Sequence, residues 1–97
     1  MEPLKTYHKN PHIVTTELED GAILLNLNTK YYYNLNETGL SIWQALDESG
    51  DPEIIATKLT DAYDIDKKQA STYLDELLAD LEKEGLIIGY NKKNPHS

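Results

Sequence analysis

Asn36 divides this chain into two kinds of apolar spacing, and no single type of secondary structure accommodates both. Before it, apolar and β-branched residues come in short runs broken by turn residues. Ile13 to Leu18 is followed by Glu19-Asp20-Gly21, Ala22 to Leu27 by Asn28-Thr29-Lys30, and Tyr31 to Leu35 completes the series. Such runs read as strands. Turns this short join them as an antiparallel meander. After Asn36 the apolar residues recur with a period near 3.6, the mark of amphipathic helices.

The helical half carries its own start and stop signals. Asn36 is an N-cap residue with Glu37 in the first turn, where the helix dipole favours a carboxylate. Ile42, Trp43 and Leu46 then share a face with Gly39, and Asp47-Glu48-Ser49-Gly50 ends the helix. Asp51-Pro52 starts a second, short helix, with Pro at the first helical position and Ile55, Leu59 and Ala62 as its expected buried stripe. Asp66 with Gln69 resembles a capping box for a third helix, and Ile65 with Ala70 a hydrophobic staple. Its apolar face is Ala70, Leu74, Leu77, Leu78 and Leu81. Gly85 is suited to the helix end, and Leu86 to Tyr90 reads as a short closing strand.

The fold class is therefore α+β and winged-helix-like: a three-stranded antiparallel meander, three helices and a short closing strand. Ninety-seven residues make one domain, since a second core would not fit. The periodic part spans residues 12–90. Residues 1–11 and 91–97 lack periodicity and are expected to be flexible tails.

Several function classes are disfavoured by composition. Without cysteine there are no disulfides, zinc-thiolate sites, iron–sulfur clusters or thiol nucleophiles. The net charge is −8 and arginine is absent, which opposes the phosphate neutralisation a winged helix needs on DNA. No apolar run approaches a membrane span, and no signal sequence is legible. We expect a cytoplasmic protein with neither nucleic acid nor membrane as partner. His8 and His12 have metal-ligand spacing but flank Pro11 in a tail, and His96 is next to the end. The serines lack a histidine partner in an ordered element, and the scattered glycines form no phosphate cradle. No enzyme, metal site or cofactor is expected.

Two features admit more than one reading. The third helix carries Asp75, Glu76, Asp80, Glu82 and Glu84, either as a solvated face or as an attraction for a lysine-rich peptide. The strand Tyr31, Tyr32, Tyr33, Asn34, Leu35 places rings on both faces. It is either an aromatic-rich core strand or an edge to which a peptide adds as a further strand. Tyr33 and Leu35 suit the inward side and Tyr32 the outward side, while Tyr31 fits either role.

With those residues identified, the chain resembles the PqqD-like proteins, the family of pyrroloquinoline quinone synthesis protein D. The resemblance lies in YYYNLNETGLSIWQAL (Tyr31 to Leu46), the short helix ending Ala62-Tyr63-Asp64, and LxxLxxxGLI from Leu78 to Ile87. It covers roughly residues 12–90. Such membership implies a RiPP recognition element, a non-catalytic module that grips the leader of a ribosomally synthesised precursor peptide as an added β-strand. The module then presents the precursor to a modifying enzyme or leader peptidase. Carried onto this sequence, the leader-binding residues would be Tyr31, Tyr32, Tyr33, Asn34 and Leu35 on the strand. On the third helix they would be Tyr73, Leu74, Leu77, Leu78 and Asp80. The discrete form favours the lasso-peptide type over the quinone type. A winged-helix transcription regulator and a subunit that dimerises through the same edge are the alternatives, so the free chain is expected to be a monomer or weak homodimer.

Overall fold

Local chemistry sets the helix boundaries. The computed structural model describes residues 5–91, in the order β1 (Lys5–Lys9), β2 (Ile13–Leu18), β3 (Gly21–Asn26), β4 (Tyr32–Asn36), α1 (Glu37–Glu48), α2 (Pro52–Tyr63), α3 (Lys67–Lys83) and β5 (Ile87–Asn91). Asn36, Asp51 and Asp66 cap the three helices, their side chains accepting from the backbone N–H of Gly39, Glu53 and Gln69. Gly85, at φ +75°, ends α3. Its N–H donates to Glu82 O while Leu86 N–H donates to Leu81 O, the paired bonds of a Schellman motif.

β2, β3 and β4 form the expected antiparallel meander, in that spatial order. The third strand begins one residue later than its sequence indicated, because Lys30 takes φ +68° to close the turn. The Asn26 side chain holds that turn together, accepting from the N–H groups of Asn28 and Thr29.

One expectation is overturned. Lys5–Lys9 belong to no loose tail; they form β1 and pair antiparallel with β5 in a separate two-stranded sheet. Two contacts fix this strand. Tyr7 N–H donates to Gly50 O at 2.9 Å, and the Lys9 ammonium sits 4.5 Å above the Trp43 ring while pairing with Asp47 at 3.0 Å. His8 lies on the same strand, edge-on to Tyr90. The expected C-terminal tail lies outside the described residues except for Asn91, the last residue of β5.

The core lies between the meander and the helices. Ala22, Leu24 and Leu35 from the sheet meet Ile42, Trp43, Ile55, Leu59, Leu74, Leu78 and Leu81 from the helices. On α2 the buried stripe is Ile55, Ala56 and Leu59, while Ala62, expected inside, is exposed. Trp43 Nε1–H donates to Thr15 Oγ1 at 3.0 Å, so the buried indole keeps a polar partner. Among the described residues no helix is long and apolar enough to cross a membrane.

Candidate functional site

Where β5 goes decides what β4 can do. The closing strand pairs with β1, so β4 is left at the rim of the meander with β3 as its one strand neighbour among the described residues. Its ladder to β3 pairs Ala22 with Leu35, Leu24 with Tyr33 and Leu25 with Tyr32. Beyond the strand end, Asn26 N–H donates to Tyr31 O at 3.0 Å. In an antiparallel ladder bonded pairs alternate, so Tyr33 and Leu35 spend their backbone groups on β3, as does the carbonyl of Tyr31, whose N–H donates instead to Thr29 Oγ1. Tyr32 and Asn34 turn their N–H and C=O groups to the free edge. No proline, glycine or bulge blunts that edge.

Side chains alternate in the same register. Leu35 is buried and Tyr33 half-buried on the helix side, and Tyr32 stands on the outer face at 70% exposure. Tyr31, which fitted either role, is 73% exposed and contributes nothing to the core.

Across from the free edge lies α3. The Tyr33 hydroxyl donates to Asp80 Oδ2 at 2.7 Å, and the Tyr73 hydroxyl donates to Asn36 Oδ1 at 3.4 Å. Two tyrosines, one from each element, thus span the gap between strand and helix. Tyr73, Leu77, Asp80 and Glu84 follow one another at steps of four, three and four residues, which makes one stripe along the helix facing β4. Tyr73 and Leu77 are half-buried and pack against the core from this side. Burial, then the bond to Asp80, then the charges of Asp80 and Glu84 push the Tyr33 hydroxyl up to about 12. The proton is thereby held on the bridge.

Of the ten residues singled out in the sequence, the structure brings together Tyr33, Asn34, Leu35, Tyr73, Leu77 and Asp80, with Tyr31 and Tyr32 exposed beside them. Leu74 and Leu78 do not join them. They are 1% and 2% exposed, packed inward a third of a turn away from the stripe, and offer the cleft no surface. Sequence spacing merged two adjacent stripes of α3, one facing the core and one facing β4. Glu84 and Asn36 were missed as parts of the cleft. Asn36 was read for its cap, and nothing in its spacing signals the second bond to Tyr73. Among the described residues no group of three or more His, Asp or Glu side chains is arranged to hold a metal ion.

Residues 21–87, well over half of the chain, match the family described as Coenzyme PQQ synthesis protein D (PqqD). No match was found among curated proteins. Two solved structures share the fold. "TbiB1 in Complex with the TbiA(beta) Leader Peptide" is 28% identical with a TM-score of 0.80, covering 88% of this chain and 99% of that one. "Lasso peptide synthetase B1 complexed with the leader peptide" is 25% identical with a TM-score of 0.76, covering 86% of this chain and 98% of that one.

Proposed function

The chain belongs to the PqqD family, and we propose that it is a non-catalytic adaptor for the leader peptide of a ribosomally synthesised precursor, of the lasso-peptide type. The leader adds as a strand to the free edge of β4 and lies in the cleft against α3. The adaptor then delivers the precursor, in the cytoplasm, to a modifying enzyme or leader peptidase.

The open edge of β4 carries this reading. A row of unpaired backbone donors and acceptors beside a cleft is what strand addition requires. The backbone bonds give affinity, and the alternating side chains meet Tyr33 and Leu77 on one side and Tyr32 on the other. Support also comes from the two similar structures, both complexes with leader peptides. The acidic stripe on α3 disfavours the winged-helix regulator, because DNA would meet like charge there.

Fluorescence anisotropy with the labelled leader of a precursor encoded beside this chain tests the proposal. Saturable binding with a dissociation constant of about a micromolar or tighter is expected, and Asn34→Pro should abolish most of it. Failure of every neighbouring precursor to bind would end this reading.

A further inference from the structure

The cleft is chemically unequal along its length. Near Asn36 its α3 wall is Tyr73 and Leu77, and toward Tyr31 that wall becomes Asp80 and Glu84. The ion pairs of the protein leave this acidic end open. Lys5, Lys9, Lys58 and Lys67 pair elsewhere, and among the described residues no lysine comes within ion-pairing distance of Asp80 or Glu84. Asp80 accepts the Tyr33 hydroxyl, a neutral donor that leaves the carboxylate charge in place.

The edge fixes how an added strand must present its side chains. It bonds to β4 through Tyr32 and Asn34, residues whose backbone groups face outward. The added residue lying beside Tyr33, between those bonds, therefore points its side chain to the helix side, at Asp80. The residue two positions along, beside Leu35, points the same way and meets Leu77 and Tyr73. Slipping the strand by one residue would exchange both for side chains meant for the outer face.

We propose that the leader taken by this cleft carries a lysine or arginine at the position beside Tyr33 and an apolar residue beside Leu35. Asp80 and Glu84 thus set the register of the added strand and its preference for a basic leader. This rests on the strand-addition reading above and narrows it to a substrate class. Charge complementarity selects the occupant: a second copy of this chain, at net charge −8, would bring its own acidic stripe to the same place.

The test uses the labelled leader of a precursor encoded beside this chain, and a set in which each lysine or arginine is changed singly to glutamine. Each is titrated by anisotropy, at low and high NaCl, into the wild type, Glu84→Gln and Glu84→Lys. Glu84 is an exposed cap residue, and a melting curve for each variant checks that it folds. Binding should weaken with salt and by roughly three- to tenfold in Glu84→Lys. One basic leader position should account for that loss, so that its glutamine version no longer distinguishes the wild type from Glu84→Lys. Tight binding that ignores salt and Glu84→Lys, or a bound leader lacking a basic residue in the paired segment, overturns the inference and leaves strand addition standing. A leader that does not bind at all overturns both.

Discussion

The hydroxyl of Tyr33 lies 2.7 Å from the Asp80 carboxylate and joins two elements whose residues are 47 positions apart in sequence. The bond ties β4 to α3. Tyr33→Phe should keep the ring's packing and lose only this bond. A stability loss of about 1 kcal/mol is expected, since a charged acceptor strengthens the bond and partial exposure weakens it. Thermal melting should then fall by roughly 4–8 °C for a chain of this size.

The same pair has a pH signature. The Tyr33 hydroxyl is raised from the ordinary 10.0 to about 12, so the folded state favours its protonated form. Its contribution to stability is complete below pH 10 and is lost as pH rises toward 12. Tyrosine ring-carbon NMR across that range should reveal a late-titrating signal that disappears in Tyr33→Phe. Asp80→Asn should bring the Tyr33 signal back toward the ordinary value, because both the charge and the charged acceptor are gone.

Proline substitutions along β4 should alternate in their effect. Asn34→Pro removes an N–H that faces the free edge, and edge strands tolerate proline there. The protein should stay folded by circular dichroism while leader binding weakens about tenfold or more. Tyr33→Pro removes a ladder bond to β3 and should unfold or strongly destabilise the protein, read as a lost or lowered melting transition.

The leucines of α3 should divide in the same way. Leu74→Ala empties a core site and should cost about 2–5 kcal/mol in chemical denaturation. Leu77 is half-buried, so Leu77→Ala should cost less in stability and more in leader affinity. Equal effects of the two on binding, after correction for folding, would argue that the stripe facing β4 is misassigned.

These contrasts also mark what the sequence reveals and what it conceals. Cap chemistry is local, so Asn36, Asp51, Asp66 and Gly85 are legible one residue at a time, and the helices follow from them. The meander is legible because its turns are short. β1 is not, since Lys-Thr-Tyr-His-Lys has one apolar residue and its partner strand is about 80 residues away. Its stability comes from the Tyr7–Gly50 backbone bond and from Lys9 over Trp43, contacts that leave no periodicity. A Cβ at Gly50 would collide with the Tyr7 carbonyl. The openness of β4 depends on the partner of β5, and with it the choice of β4 as the candidate edge. On α3, adjacent stripes a third of a turn apart both contain leucine, and only burial separates Leu74 and Leu78 from Leu77.

Backbone amide exchange, resolved by NMR with and without the leader, tests strand addition most directly. In the free protein the amides of Tyr33 and Leu35 should be protected by β3, and those of Tyr32 and Asn34 should exchange freely. Saturating leader should slow Tyr32 and Asn34, and not Tyr33 or Leu35, by an amount that tracks its affinity. A leader that binds while Tyr32 and Asn34 continue to exchange as in the free protein would contradict the account.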